Sequence, residues 1–252
     1  RLFEAAECCP HVVLVLGKGG VGKTTLSILL AFELSRVGRT MLLSLDPARH
    51  LLKYLGALGG DSAEVREGLY VKQVSLESEV ERITSKHADF LRELMPSLTV
   101  LNLDSVADAV RYFPGVEEEV FLRKLLEVYR SDYSYVVVDT PPTGISVRTL
   151  ILPRLYRVWL EKLIEIRERI VSLRYVIART LGREVDVRDR ALLKLYEMRD
   201  EFELLDRSLS SGSRTSYVVV AVPEPLPMFE LEETVGFLRD KLGVTPRLLV
   251  LN

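Results

Sequence analysis

The chain has 252 residues, 48% of them hydrophobic and 28% charged, with a formal net charge of −2. That length and balance suit one large domain, or a domain with a subdomain, around a substantial core. They give no overall basic field for nucleic acid, no apolar run near the ~18 residues of a membrane span, and no signal-peptide core at Arg1-Leu2-Phe3-Glu4. A start at Arg1 reads as other than the natural one. Cys8 and Cys9 are the only cysteines and are adjacent, with no C-x-x-C for a metal, which reads as reduced small side chains in a cytoplasmic protein. Asparagine occurs only at 102 and 252 and glutamine only at 73, a scarcity of thermolabile amides that suggests a heat-adapted source.

In chain order, an apolar run at 12–16 leads into Gly17-Lys18-Gly19-Gly20-Val21-Gly22-Lys23-Thr24-Thr25, and a helical pattern follows at 26–34. Strand, glycine loop and helix are the context that makes a G-x-x-x-x-G-K-T spacing a phosphate cradle rather than a plain glycine turn. Glycine lets successive N–H groups turn toward an anion, and the helix N-terminus adds donors and a favourable dipole. Lys23 supplies a point charge for the β- and γ-phosphates, and the Thr24 hydroxyl is a ligand for Mg²⁺. The chain is therefore expected to bind a nucleoside triphosphate.

Further apolar runs lie at 40–45, 69–74, 98–103, 135–138, 217–222 and 247–251. They are short, rich in Val and Leu, and nearly continuous, as strands buried on both faces by crossover helices are. The expected fold is α/β, a mainly parallel sheet with helices on both faces and its chemistry at the carboxyl ends of the strands. Asp139 closes the fourth later run and is placed to hold Mg²⁺ through water, or else to cap a turn. Gly144, after Pro141-Pro142-Thr143, can offer an N–H to a γ-phosphate and shift when that phosphate leaves. Asp46 ends the second run, placed either to orient or deprotonate the attacking water or to cap a helix before Pro47.

Two stretches exceed a minimal sheet, about 78–113 and 154–209, and together they suggest a helical subdomain beside the nucleotide site within one domain spanning 1–252. In the second, Leu155, Trp159, Leu163, Ile166, Ile170, Leu173 and Ile177 recur at spacings of three and four, and Leu160, Ile164, Val171 and Tyr175 form another line. Both lines can be core. Alternatively, part of the surplus forms a groove for an apolar partner helix.

These residues carry a resemblance. The glycine loop, with lysine directly after its first glycine, is similar to a deviant P-loop (a deviant Walker A motif). Asp46-Pro47-Ala48 resembles a first switch, and Asp139-Thr140-Pro141-Pro142-Thr143-Gly144, through Arg148 to Leu152-Pro153, resembles a second. Pro223-Glu224-Pro225-Leu226-Pro227 and the run ending at Asn252 look like an adenine-side loop. The chain is thus identified as a member of the arsenite-pump ATPase family of P-loop NTPases, which includes the ATPases that target tail-anchored membrane proteins. The resemblance implies an ATP-hydrolysing homodimer that closes over two ATP molecules and captures and releases a transmembrane helix, with a possible membrane receptor. Gly17, Gly19, Gly20, Val21, Gly22, Thr25, Gly144 and Pro223 would line the nucleotide, and Asn252 would contact adenine. Lys18 would reach the partner's phosphates, Lys23 and Asp46 would serve catalysis, and Thr24, with Asp139 and Asp46 through water, would serve Mg²⁺. An arsenite-pump subunit and a partitioning or positioning ATPase are the alternative readings. Departures are Arg49 and His50 after Ala48, Ile145 where histidine is usual, Glu233 where arginine is common, and the missing zinc-binding C-x-x-C.

Overall fold

A computed structural model describes residues 10–45, 51–55, 62–76, 78–83, 115–182 and 189–252. Its strands are β1 (His11–Gly17), β2 (Thr40–Ser44), β3 (Ser62–Arg66), β4 (Leu69–Gln73), β5 (Tyr135–Asp139), β6 (Thr215–Ala221) and β7 (Leu248–Leu251). They form one sheet in the order β3-β4-β2-β5-β1-β6-β7, parallel at every pairing except β3–β4. Six of the apolar runs thus become six strands of a mainly parallel α/β sheet. The run at 98–103 lies outside the described residues. β3 had no apolar run to announce it, because as an antiparallel edge strand it alternates exposed Ser62, Glu64 and Arg66 with half-buried Ala63 and Val65. Charged side chains on such an edge discourage pairing with another chain.

The helices are α1 (Lys23–Leu34), α2 (Leu51–Tyr54), α3 (Val116–Tyr129), α4 (Thr143–Thr149), α5 (Leu152–Thr180), α6 (Arg190–Leu209) and α7 (Pro225–Phe237), the last running into a π-helical turn at Leu238–Leu242. Residues 78–83 are also helical. One face of the sheet packs Val13, Val15, Leu42 and Val137 against Ala31 and Leu34 of α1. The other packs Leu14, Leu43 and Val138 against Phe121 and Leu125 of α3 and Leu209 of α6. Burial on both faces explains why β1, β2, β5 and β6 contain no exposed position. Even His11 is inside, with Nδ1 3.0 Å from the Ser213 carbonyl and Nε2 2.9 Å from Ser216 Oγ. Burial lowers its pKa, so the ring is kept neutral.

α5 has 29 residues and is about 44 Å long at 1.5 Å per residue. It packs antiparallel to α6 through Leu160, Ile164 and Leu195. Asp189 joins the two: its carboxylate accepts the Leu192 amide at 2.8 Å as the α6 cap and holds the Arg167 guanidinium at 2.8 Å. Burial alone would raise that carboxyl, but Arg167 and the Leu192 amide bring it below the usual range. The other end of the hairpin is rooted in the sheet. Tyr217 of β6 donates to the Leu209 carbonyl at 2.8 Å, and Thr215 donates to the Ser208 carbonyl at 2.6 Å.

The two apolar lines of α5 have different fates. Of the second line, Leu160 and Ile164 are only 5% and 6% exposed, buried against α6, while Val171 is half-buried and Tyr175 is 48% exposed. The line of Leu155, Trp159, Leu163, Ile166, Ile170, Leu173 and Ile177 stands in solvent, with Trp159 72% and Leu173 62% exposed. A reading of both lines as core therefore fails for this one and, at Tyr175, for the other. Full burial of one such side chain contributes about 1.5–3 kcal/mol. Seven left largely exposed forgo several kcal/mol, comparable to the ~5–15 kcal/mol net stability of a whole domain. Among the described residues no helix is long and apolar enough to cross a membrane. The expected partner stretch at 84–113 lies outside the described residues.

Candidate nucleotide site

The order of the strands sets the site. β1 lies between β5 and β6, strands that the chain forms much later and that flank it on either side, and this is where a crevice opens at the carboxyl ends of a parallel sheet. The glycine loop leaves β1 there. Gly17 is paired with Val220 of β6, and a Cβ on it would stand 2.4 Å from the Val220 carbonyl oxygen. Only glycine lets the loop turn that close to a neighbouring strand. Gly22, the N-cap of α1, has φ 98° and ψ 20°, the left-handed region that aims the next amides back into the loop.

Lys23 starts α1 and is only 5% exposed; its ammonium reaches back over the loop to donate to the Lys18 carbonyl at 3.1 Å. Thr24 donates from Oγ1 to Asp139 Oδ2 at 2.8 Å. Asp139 is wholly buried at the end of β5, in register with Val15 of β1 on one side and Ser44 of β2 on the other. Ser44 Oγ lies 3.5 Å from the same carboxylate oxygen, and Thr140 donates to the Val15 carbonyl at 2.7 Å. Three strand ends and a helix start are thus fastened together. The cluster offers backbone amides and an ammonium to an anion, with a hydroxyl and a carboxylate close by. Hydroxyl and carboxylate oxygens are the hard donors Mg²⁺ selects, and water-mediated binding by one or two carboxylates plus phosphate is its habit, so the residues fit that ion.

Beyond Asp139, Pro142 caps α4 in extended conformation and Gly144 is the second residue of that helix, among the first-turn amides that helix geometry leaves without an intrahelical acceptor. Ile145 lines an apolar crevice of about 50 Å³ with Leu76, Val120, Phe121 and Pro142. Packing against α3 suits the apolar side chain that departs from the histidine usual at this place. Asp46, with Arg49 and His50, lies outside the described residues. Pro223 follows β6, and α7 begins at Pro225, so three of the five residues of the expected adenine-side loop are helical. Asn252 turns toward the glycine loop: its Nδ2 donates to the Val21 carbonyl at 3.1 Å, and a Cβ on Gly22 would stand 2.6 Å from that nitrogen.

Two members of this surrounding went unnoticed in the sequence. Ser44 approaches Asp139 only because β2 and β5 are sheet neighbours. Glu230 of α7 forms an ion pair with the Lys18 ammonium at 3.3 Å. Neither has a local signal, since each depends on which strand lies beside which. A cavity of about 420 Å³ under the β3–β4 edge is a separate feature. Its lining includes Lys124 and Glu127, which neutralise each other at 2.9 Å, and Lys124 also pairs with Glu79 at 2.7 Å. Its other lysine, Lys72, lies 3.9 Å from the same Glu127, so both lysines of the lining are already paired with carboxylates.

The model of the anion-transporting ATPases matches residues 10–252, nearly the whole chain. The chain belongs to that family. ATP hydrolysis is accordingly its reaction, and ATP its nucleotide. The chain is 30% identical over 240 residues to the putative arsenical pump-driving ATPase 2 of Aquifex aeolicus, covering 94% of this chain and 77% of that one. It is 30% identical over 227 residues to the ATPase GET3A of Arabidopsis thaliana, covering 88% and 61%. It is 28% identical over 230 residues to the ATPase get3 of Aspergillus terreus, covering 88% and 67%. Against several of these relatives the chain thus spans about three-fifths to two-thirds of the length.

Proposed function

We propose that this ATPase captures and releases an apolar transmembrane helix of a client protein, such as a tail-anchored membrane protein, through nucleotide-driven closure of a homodimer. The observation that carries the reading is the solvent-facing apolar line of α5, seven large side chains over more than five turns. Unpartnered apolar surface of that length costs stability and matches one helix laid along another. The switch resemblance supports the same reading, and so do the similarity to the ATPases GET3A and get3 and the rooting of α6 in β6, the strand that flanks Gly17.

At the site, the glycine-loop amides and Lys23 hold and neutralise the β- and γ-phosphates. Thr24, Asp139 and Asp46 would hold Mg²⁺, which would supply charge neutralisation at the transferring phosphate when bound. Asp46 orients the attacking water. Lys18 reaches the nucleotide of the partner subunit, and Pro223 and Asn252 border the adenine. Gly144 senses the γ-phosphate and moves when it leaves, and α4 carries that shift toward α5, which begins at Leu152.

The test separates the groove from the chemistry. In the double variant Trp159→Asp, Leu173→Asp, retention of a soluble peptide bearing a transmembrane helix falls at least tenfold in the presence of ATP. Basal ATP turnover and melting temperature stay near the parent, because both side chains are exposed and such surface changes typically move stability by about 0.5 kcal/mol or less. Undiminished retention would remove α5 from the binding role. The similarity to the putative arsenical pump-driving ATPase 2 of Aquifex aeolicus supports a second reading, the ATPase of an arsenical pump, and that reading requires hydrolysis stimulated by arsenite.

A further inference from the structure

We infer that Glu230 is a positioning residue that parks Lys18 away from the phosphate cradle and thereby sets how much ATP is needed to close the dimer. The inference rests on the proposed trans role of Lys18. Lys18 is the first residue after the close turn at Gly17, and its backbone carbonyl already belongs to the cradle by accepting the Lys23 ammonium. Its own ammonium does not extend over the loop. It is drawn sideways onto α7, 3.3 Å from Glu230 Oε1, with both side chains about one-third exposed at 35% and 32%. α7 starts just past Pro223, so the parking carboxylate sits little more than one turn into the helix that borders the adenine side.

One ammonium on a flexible stem can be paired with Glu230 or with a phosphate, but it exchanges one partner for the other when it moves. Closure across a dimer must therefore break the Lys18–Glu230 pair. A pair about one-third exposed is modest in strength, which suits a contact that nucleotide has to displace, and its removal is worth a factor of about two to five in an equilibrium. The Glu230 side chain is 32% exposed, so replacing its carboxylate with an amide of the same size should leave the fold alone.

The experiment measures, by sedimentation, the concentration of a non-hydrolysable ATP analogue at half-maximal dimerisation for the parent, Glu230→Gln, Lys18→Ala and the double variant. Binding of a fluorescent ATP analogue to monomer is measured alongside. Glu230→Gln is expected to lower the half-maximal concentration two- to fivefold with monomer affinity unchanged, and the difference should shrink at high salt as the parent's pair is screened. In the Lys18→Ala background Glu230→Gln should have no effect, a non-additivity that a merely structural role for Glu230 would not produce. If Lys18→Ala weakens dimerisation while Glu230→Gln leaves it unchanged, the parking role is overturned and the trans role of Lys18 survives. If Lys18→Ala leaves dimerisation intact, the trans role falls and the parking role falls with it.

Discussion

Replacing Gly22 with alanine is expected to cost ATP affinity about 5- to 30-fold from backbone strain alone, while the sheet stays folded. Gly22 has φ 98° at the N-cap of α1. An L-residue held in the left-handed region costs roughly 1–2 kcal/mol, and that strain is relieved only by rotating the loop amides away from the anion they serve. The new methyl would also meet Asn252 Nδ2 at 2.6 Å, but that atom ends a side chain and can swing aside. The strain therefore outlasts the clash, and adding Asn252→Ala should not restore affinity. Titration of a fluorescent ATP analogue checks the loss, and a circular-dichroism melt checks that the strands persist. Unchanged affinity would mean that the loop's left-handed turn does not form the cradle.

The second large effect is expected at Asp139, where function and stability should separate. Asp139→Asn keeps the shape and an acceptor for the Thr24 hydroxyl, now 2.8 Å from Oδ2, but removes the charge from a wholly buried site. Without it the concentration of Mg²⁺ needed for half-maximal turnover should rise about 10- to 100-fold, the usual scale for losing a residue that acts on a metal through an intermediary. Stability should hold or increase, because a buried carboxylate is expensive to desolvate and a neutral amide of the same size is less so. Turnover titrated with Mg²⁺ and a melting curve without nucleotide give the two halves of the result. An unaltered Mg²⁺ requirement would make Asp139 a structural anchor for Thr24 and no more.

The residues that announced themselves in the sequence share a physical reason. β1, β2, β4, β5, β6 and β7 showed as apolar runs because crossover helices cover the sheet; β3 did not, since an antiparallel edge has one wet side. The glycine loop was legible because its spacing is itself the geometry, a turn that must be glycine at Gly17 and Gly22. Asp139 was visible as the carboxylate closing an apolar strand. Ser44 and Glu230 were not, because their proximity to Asp139 and Lys18 comes from strand order, which periodicity does not encode. The same limit applies to α5. Both apolar lines are legible in the sequence, yet α6 covers only Leu160 and Ile164 and leaves Trp159, Leu173 and Tyr175 in solvent. Which line would be covered depended on where α6 returns, fixed at one end by Asp189 and at the other by Tyr217.

The claim that this ATPase works by holding an apolar helix is tested most directly by gel filtration with a fluorescent peptide carrying one transmembrane helix. The purified protein is loaded with a non-hydrolysable ATP analogue and Mg²⁺, and the same sample is then exchanged into ADP. The peptide should co-elute with a dimer-sized species in the first condition and leave it in the second. Absence of co-elution in every nucleotide condition, with ATP hydrolysis intact, would contradict the account.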